Sequence, residues 1–378
     1  MQYVPFGKLG FKVSRLGFGT MRLPTVQDGE NRIPDSPRAI AMLRHAIDEG
    51  VNYVDTAWPY HNGESENIVG RALLDGYRER VKLATKLPCW AVETREDMDK
   101  LLDTQLKKLQ TPYVDFYLVH ALSKDRWEKM KALGVCEFLD SAVRDGRIRY
   151  PSFSFHDEYP VFREIMTSYD WQMAQIQFNY MDIRDQAGLA GIRLARARKV
   201  PLVIMEPLRG GLLARPSEDI RAIMDRYPQK RSPVDWAFRF VGNYPEVATI
   251  LSGMSDEQQL KDNLRIFKHV RVDGLTDADK RLIARLRAGY KRRMPIRCTG
   301  CAYCQPCPQG VAIPDIFDLY NSSCMYDDAN RLHRRYAGMV EKECDASRCV
   351  QCGMCEDQCP QHLPIREWLQ TVDAAATK

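Results

Sequence analysis

Several features that mark membrane, secreted or strongly charged proteins are absent from this sequence of 378 residues. No stretch approaches the roughly 20 apolar residues of a membrane span, and the N-terminal segment lacks the apolar run of about 7–15 residues found in signal peptides. Charge of one sign is also missing, because 55 basic side chains face 50 acidic ones. The net charge of +5 indicates neither a nucleic-acid nor a membrane partner, and we expect a cytosolic protein.

Glycine-rich phosphate loops are missing as well, since neither G-x-G-x-x-G nor G-x-x-x-x-G-K-[ST] occurs after a candidate strand. This absence disfavours a doubly wound α/β sheet, whose nucleotide site usually carries such a loop. Short β-rich runs instead alternate with amphipathic helical segments, such as the one containing Leu102, Leu106 and Leu109. Eight such units in about 290 residues predict an α/β fold of the (β/α)8 TIM-barrel type. The predicted strands cover residues 14–19, 51–55, 81–85, 114–119, 148–154, 173–177, 201–205 and 247–251.

Polar residues end most of these strands, and a barrel of this kind builds its site at the carboxyl ends of its strands. The polar ends are Thr20, Asp55, Lys86, His120, Ser154 with His156, and Glu206. Each has an ordinary structural explanation, such as a helix cap, a solvated strand end or a buried histidine. Asp55, Lys86 and His120 nevertheless end three successive strands, and Tyr60 follows Asp55 by one short loop, so all four are predicted to meet at one mouth.

These four residue types suit the reduction of a carbonyl group. A tyrosine hydroxyl with an ordinary pKa of about 10 is a poor proton donor at neutral pH, and a nearby ammonium lowers that pKa. Lys86 is predicted to do so for Tyr60, while Asp55 keeps Lys86 charged and oriented. His120 would donate a hydrogen bond to the carbonyl oxygen of a substrate.

With these residues in place, the sequence resembles the aldo-keto reductase family over essentially all of residues 1–290. The resemblance rests on the segments VNYVDTAWPYHNGESENIVGRAL, VKLATK, VDFYLVH, EPLRGGLL and GMSDEQQLKDNL. It implies a catalytic tetrad of Tyr60, Lys86, Asp55 and His120. It also implies a nicotinamide cofactor that lies extended across the barrel mouth without a Rossmann domain.

The resemblance further implies a set of cofactor-binding residues, and this sequence departs from the family at some of them. Phe155 follows Ser154 where the family usually has asparagine, and Met205 stands where an aromatic residue commonly stacks on the nicotinamide. The cations that many members place against the 2′-phosphate fall on Gly253 and Gln259. A phosphate dianion needs fixed positive donors, so either NAD(H) or NADP(H) is possible and NAD(H) is favoured. The implied contacts are Thr20, Met21, Asp55, Ser154, Gln175, Glu206, Leu208, Gly210, Gly253, Gln259 and Asn263.

Cysteine is scarce in the first 297 residues and concentrated after them, with ten of the twelve cysteines between Cys298 and Cys359. This change in composition predicts a barrel domain over residues 1–290 and a second domain over residues 291–378. The basic segment Lys291–Arg293 is the predicted linker. A disulfide scaffold is not expected without a secretion signal, so the cluster indicates a metal site.

Two cysteine runs in the second domain have the spacing of iron–sulfur ligands. The second run, C-x2-C-x2-C-x3-C-P from Cys349 to Pro360, is the pattern of bacterial [4Fe–4S] proteins, and the first, from Cys298 to Pro308, is one residue shorter in its last interval. The fourth cysteine of such a run binds the other cluster. We therefore predict two [4Fe–4S] clusters; two zinc sites are the alternative. The predicted ligands are Cys298, Cys301, Cys304 and Cys359 for one cluster, and Cys349, Cys352, Cys355 and Cys307 for the other.

Helical patterns lie between the two runs, in residues 313–326 and 329–343, so the second domain looks like a small, mainly α-helical ferredoxin module. The leading hypothesis is an oxidoreductase that acts on a small carbonyl or alcohol substrate. Nicotinamide transfers two electrons as hydride whereas clusters transfer one at a time, so the clusters either exchange electrons with a protein partner or serve the structure. The alternative is a redox-sensing or electron-transfer protein whose barrel binds a nucleotide without turnover.

Overall fold

Eight parallel strands close into a barrel in the computed structural model, which describes residues 1–29 and 31–378. Around the barrel the strands follow the order β10-β11-β12-β3-β6-β7-β8-β9, and the remaining strands form two hairpins, β1-β2 and β4-β5. The strands are β1 (Tyr3–Pro5), β2 (Lys12–Ser14), β3 (Leu16–Gly19), β4 (Thr25–Asp28), β5 (Asn31–Pro34), β6 (Tyr53–Asp55), β7 (Lys82–Leu87), β8 (Val114–Leu122), β9 (Ile148–Phe155), β10 (Met173–Gln177), β11 (Leu202–Met205) and β12 (Val247–Gly253).

The prediction of a TIM barrel is therefore confirmed, and each of its strands overlaps one of the eight predicted segments. The helices are α1 (Ser36–Asp48), α2 (Ser65–Ala72), α3 (Arg95–Leu109), α4 (Lys124–Ala132), α5 (Val135–Arg144), α6 (Tyr159–Ser168), α7 (Gly188–Arg198), α8 (Glu218–Asp225), α9 (Pro233–Gly242), α10 (Glu257–Phe267), α11 (Asp277–Arg292), α12 (Ile313–Tyr326), α13 (Ala329–Glu341), α14 (Met354–Asp357) and α15 (Ile365–Ala376). In the part of the chain that the structure describes, none of them is long and apolar enough to cross a bilayer.

Helix α3 illustrates how the local sequence defines an element of the barrel. Thr94 and Asp97 form a capping box at its start, so two backbone N–H groups that lack helical partners are satisfied there. Gln110 ends the helix in the left-handed conformation. Leu102, Leu106 and Leu109 are buried as their spacing predicts, because residues three or four apart share one helix face.

The β1-β2 hairpin closes the amino end of the barrel and was not predicted. Phe6, between its strands, is fully buried, and its ring centroid lies 4.8 Å from that of Phe116 near the start of β8. Phe11 continues this aromatic layer toward Tyr150, with 5.8 Å between ring centroids. Because the amino end is filled in this way, the carboxyl ends of the strands remain as the face where side chains can form a site.

The chain divides into two compact units, the first comprising Met1–Leu213 with Val234–Asp277 and the second Ala214–Pro233 with Ala278–Lys378. The second unit is mainly helical, as predicted for residues 291–378, but it also includes α8 and nearly all of α11. Lys291 and Arg292 of the predicted linker form the last turn of α11. Cations there interact favourably with the free carbonyl groups of a helix end, so a basic run can end a helix as readily as it can join domains.

The second unit has an apolar core of its own. Its buried residues include Ile296, Ile316 and Phe317 together with Leu369 of α15. Six of the cysteines from the two runs pack against this core while remaining partly buried, namely Cys298, Cys304, Cys307, Cys349, Cys355 and Cys359. The cysteines are therefore part of the packing of this unit.

Candidate functional site

Lys86 lies at the centre of the predicted tetrad, and the barrel strands bring its partners to it. Its ammonium nitrogen, Nζ, donates hydrogen bonds to Asp55 Oδ1 at 2.8 Å, to the carbonyl oxygen of Thr56 at 2.8 Å and to the hydroxyl oxygen of Tyr60 at 3.2 Å. Asp55 ends β6, and Tyr60 begins the 3-10 turn Tyr60–Gly63. The three donors of the ammonium are therefore matched by three acceptors, which fixes the side chain of Lys86.

Burial and charge act in opposite directions on Lys86, which is fully buried in β7. Loss of solvation alone lowers its pKa, but the neighbouring Asp55 carboxylate and the Tyr60 hydroxyl outweigh that effect, and the pKa is raised. Lys86 is thus a permanent cation at neutral pH, held under the hydroxyl of Tyr60.

The pKa of Tyr60 is shifted in the direction opposite to the one that the sequence predicts. Burial raises the pKa of Tyr60, and Lys86 lowers it only in part, so the net shift is upward. The prediction that Lys86 lowers this pKa overall is therefore wrong, because burial of the phenol has the larger effect and has no direct signal in the sequence. At neutral pH the hydroxyl keeps its proton, which is the form that a general acid requires.

The turn that carries Tyr60 has an unusual backbone held by specific bonds. His61 and Asn62 have φ angles of 53° and 54°, in the left-handed region that residues other than glycine rarely adopt. The backbone N–H of Leu23 donates to His61 Nε2 at 3.1 Å, which ties this turn to the loop after β3. Ser65 Oγ lies 2.7 Å from Thr20 Oγ1 and 2.9 Å from Thr56 Oγ1, so a hydroxyl chain joins the ends of β3 and β6.

His120 completes the tetrad at one side of Tyr60, with 6.4 Å between the two ring centroids. Burial, followed by the charges of Lys86, His156 and Arg126, holds the pKa of His120 well below its usual range. The ring is therefore neutral at neutral pH. Its Nδ1 atom is buried and has no hydrogen-bond partner among residues 1–29 and 31–378.

A buried polar network beneath Lys86 was not anticipated from the sequence. Gln105 Nε2 donates to the carbonyl oxygen of Lys86 at 3.0 Å and to Glu66 Oε1 at 2.6 Å. Thr85 Oγ1 donates to the same Glu66 oxygen at 2.6 Å, and Tyr117 donates to Gln105 Oε1 at 2.7 Å. These bonds fix the backbone from which Lys86 projects. The only sequence signal is a polar residue, Gln105, on the apolar face of α3.

Two of the predicted nicotinamide-side residues, Ser154 and Gln175, lie on neighbouring strands, and Met205 lies beside them. Ser154 of β9 and Gln175 of β10 are directly paired in the strand register, and Gln175 Nε2 lies 3.7 Å from the Met205 sulfur at the end of β11. Ser154 Oγ accepts from the backbone N–H of Ala121 at 2.7 Å. Gln175 Oε1 is buried with no partner in the part of the chain that the structure describes. An unpaired buried acceptor is costly, so this oxygen fits a ligand that donates a hydrogen bond, such as a carboxamide.

The other predicted cofactor contacts differ in their solvent exposure and in whether their side chains already have hydrogen-bond partners. Asn263 is buried and donates to Ser252 Oγ at 3.0 Å. Gln259 is engaged locally, since its Nε2 donates to Asp256 Oδ2 at 2.7 Å. Met21 is exposed, Glu206 is exposed with a φ of 53°, Leu208 is half-buried, and Gly210 lies in the 3-10 turn Arg209–Ala214 with a φ of 66°.

Arg22 is a cation at this mouth that no sequence pattern indicates. It ends the 3-10 turn Thr20–Arg22, and its side chain lies against Gly253 at the end of β12. These two residues are 231 positions apart in the chain, so no local pattern connects them. Their contact follows from the parallel pairing of β3 with β12, which sets Gly19 beside Gly253.

The cysteines of the second unit line two cavities in the arrangement predicted for the clusters. Cys298, Cys301, Cys304 and Cys359 line one of them, and burial together with neighbouring thiols including Cys359 raises the pKa values of Cys298 and Cys304. The other cavity is lined by Cys307, Cys349, Cys352 and Cys355, with Cys304 at its wall.

The number of thiols around each cavity bears on the kind of metal group that fits. Each predicted ligand set brings four cysteines to one cavity. A [4Fe–4S] cluster takes four thiolate ligands, as does a tetrahedral zinc ion, so the donor set fits a cluster without excluding zinc.

Comparisons with known proteins assign both parts of the chain. The sequence model of the Aldo/keto reductase family matches residues 15–274, and that of the 4Fe-4S dicluster domain matches residues 297–364. The predicted boundary between residues 290 and 291 falls in the segment that neither model covers.

Individual relatives match the barrel part. The aldo-keto reductase YhdN of Bacillus subtilis is 30% identical over 188 residues, which are 44% of this chain and 56% of that protein. The probable aldo-keto reductase 1 of Glycine max is 29% identical over 162 residues, 41% of this chain and 45% of that protein. The chain thus spans about half the length of these two relatives.

Solved structures support the same assignment. The aldo-keto reductase AKR11C1 from Bacillus halodurans, in its holo form, superimposes with a TM-score of 0.64 at 25% identity and covers 76% of this chain and 96% of its own. Barrel topology, family match and structural likeness agree. The chain belongs to the Aldo/keto reductase family and carries a C-terminal 4Fe-4S dicluster domain.

Proposed function

We propose that this protein is an oxidoreductase that interconverts a small carbonyl compound and its alcohol, with Tyr60 as the general acid and base. The observation that carries the proposal is the buried ammonium of Lys86, whose three hydrogen bonds run to Asp55, the Thr56 carbonyl and the Tyr60 hydroxyl. A cation fixed in this way stabilises the negative charge that develops on the phenolic oxygen when its proton leaves.

Each tetrad residue then has a defined task. Tyr60 gives its proton to the substrate oxygen during reduction and takes it back during oxidation of the alcohol. Lys86, held by Asp55, stabilises the tyrosinate form, and the neutral His120 ring donates a hydrogen bond to the substrate oxygen. Gln175 and Ser154 would hold the carboxamide side of a nicotinamide nucleotide, which would supply or accept the hydride.

Steady-state turnover is the direct test of this proposal. Purified protein, kept anaerobic to protect its cysteines, is expected to oxidise reduced nicotinamide nucleotide in the presence of some members of a panel of aldehydes and ketones. Binding of the nucleotide without turnover of any carbonyl or alcohol would instead favour a redox-sensing or electron-transfer protein.

The second unit is proposed to hold two [4Fe–4S] clusters that exchange electrons with a protein partner. Cys301 and Cys352 are exposed, one in each predicted ligand set. Three apolar side chains that line the cavity of the second set, Tyr303, Val350 and Met354, are also exposed, at 66%, 60% and 57%. Exposed apolar side chains that lie around one cavity form the kind of patch that marks a protein contact, and a cluster near the surface can exchange electrons with such a partner.

The nucleotide preference gives a further prediction. NAD(H) is expected to bind as tightly as NADP(H) or more tightly, because Gly253 offers no donor and the Gln259 amide is held by Asp256. Losing a charge-assisted contact to the 2′-phosphate corresponds to roughly ten- to a hundredfold in affinity. Calorimetric titration with both nucleotides measures the ratio, and tenfold tighter binding of NADP(H) would contradict this prediction.

A further inference from the structure

The side chain of Arg22 runs along two glycines, Gly253 and Gly210. A Cβ atom built on Gly253 would lie 3.1 Å from Arg22 Cβ, 3.3 Å from its Cγ and 3.5 Å from its Cδ. A Cβ atom on Gly210 would lie 3.7 Å from Arg22 Nη2. The aliphatic stem therefore crosses Gly253, and the guanidinium reaches toward the turn that follows β11.

Glycine at position 253 is explained by this contact. Gly253 has no left-handed φ, so its backbone conformation does not require glycine, whereas Gly210 has a φ of 66°. Any larger residue at 253 would press on the stem of Arg22, because a Cβ–Cβ distance of 3.1 Å is tighter than nine in ten such contacts in proteins. The absence of a side chain at 253 thus makes room for a cation from the loop after β3.

The guanidinium of Arg22 is available to a ligand. It has no ion pair or hydrogen bond with any group in residues 1–29 and 31–378, and the residue is exposed. An exposed arginine is ordinary by itself, but this one has its stem held in place at the site predicted for a nucleotide. An arginine whose stem is already packed loses less conformational freedom when it binds an anion, and its guanidinium matches phosphate oxygens with paired donors.

We propose that Arg22 binds the diphosphate of the nicotinamide nucleotide; this inference rests on the function proposed above. The barrel order is β10, β11, β12, with Gln175 on β10 and Asn263 on the helix after β12. A dinucleotide with its nicotinamide at Gln175 and its adenosine at Asn263 must cross the ends of β11 and β12 between them. The diphosphate is the charged group that links the two nucleosides, and Arg22 lies at that crossing.

The 2′-phosphate is the other anion that Arg22 could contact in NADP(H). The resemblance places that group at Gly253 and Gln259, and the guanidinium points from Gly253 toward Gly210, on the β11 side. Arg22 therefore binds the diphosphate, which NAD(H) and NADP(H) share. It supplies a cation where the residues after β12 lack one, and it does not select between the two nucleotides.

Calorimetric affinities of NADH and NADPH for wild type, Arg22→Ala and Arg22→Lys test the inference without any substrate. Arg22→Ala is expected to weaken both nucleotides by the same factor, about tenfold, which is the loss typical of a charge-assisted hydrogen bond. Arg22→Lys should recover part of this loss because it keeps the charge but not the paired donors. Lys8→Ala is the matched control, since it removes an exposed cation from the β1-β2 hairpin at the other end of the barrel.

A second variant changes the position of the cation and keeps its charge. Gly253→Ala pushes the stem of Arg22 aside and should also weaken both nucleotides equally. Weakening of NADPH alone in Arg22→Ala would show a 2′-phosphate contact and overturn the inference, as would unchanged affinity for both. Failure of the wild type to bind either nucleotide would overturn the proposed function as well, so the two failures are distinguishable.

Discussion

Tyr60→Phe is expected to lower kcat/KM for carbonyl reduction by ~10²-fold or more, because it removes the proton that must reach the developing alkoxide. Nucleotide affinity should change little, since the phenol acts on the substrate oxygen and not on the cofactor. Steady-state kinetics with a substrate from the carbonyl panel, combined with a calorimetric titration of the nucleotide, separates these two quantities.

The fold should tolerate this change. Without the phenol, Lys86 Nζ still donates to Asp55 Oδ1 and to the Thr56 carbonyl oxygen, so the buried cation keeps two of its three acceptors. Tyr77→Phe is the matched control, because it removes a hydroxyl that donates to Asp48 Oδ2 at 3.1 Å on the barrel surface. Activity of Tyr60→Phe within a few-fold of wild type would contradict the role of Tyr60 as general acid.

The barrel and the tetrad were accessible from the sequence because both depend on local signals. Strand and helix periodicity predicts the eight units, and in a parallel barrel the end of each strand faces the same mouth. Asp55, Lys86 and His120 could therefore be brought together without any knowledge of packing. The observed bounds of individual strands differ from the predicted ones by a few residues; β8, for example, continues past His120 to Leu122.

Features that depend on contacts distant in sequence could not be predicted. The β1-β2 hairpin consists of two strands of three residues each, too short for a period to be recognised. Arg22 meets Gly253 only after the barrel closes, and this contact adds a cation to a region that lacked one in the sequence. The net pKa shift of Tyr60 likewise depends on burial, for which the sequence has no direct signal.

The second large expected effect concerns the iron content of the cysteine-rich unit. Anaerobically purified wild type is expected to be brown and to contain about eight irons per chain, four for each [4Fe–4S] cluster. Six of the predicted ligands pack against the apolar core of this unit. Loss of both clusters should therefore also abolish its cooperative unfolding, because ligand binding and folding are coupled in small metal-binding units. A colourless protein with stoichiometric zinc would contradict the assignment of clusters.

Single substitutions establish the ligands, and double substitutions establish the pairing. Cys359→Ala and Cys307→Ala should each leave about four irons, because either one removes a ligand from one cluster of four irons. Cys344→Ala is the matched control; this thiol lies outside both runs, donates to the Met339 carbonyl oxygen at 3.6 Å and should leave about eight irons.

In the predicted arrangement the fourth cysteine of each run binds the cluster of the other run. This arrangement and one in which each run holds its own cluster lead to different iron contents in double variants. Because Cys359 lines the cavity of Cys298, Cys301 and Cys304, the double variant Cys298→Ala/Cys359→Ala should lose no more iron than Cys359→Ala alone. Cys349→Ala/Cys359→Ala disables one ligand in each set, so it should retain almost no iron and lose its visible absorbance. If each run held its own cluster, Cys349→Ala/Cys359→Ala would keep about four irons and Cys298→Ala/Cys359→Ala would keep almost none. Iron analysis of these two variants therefore decides whether Cys359, the last cysteine of its run, binds the cluster of the other run.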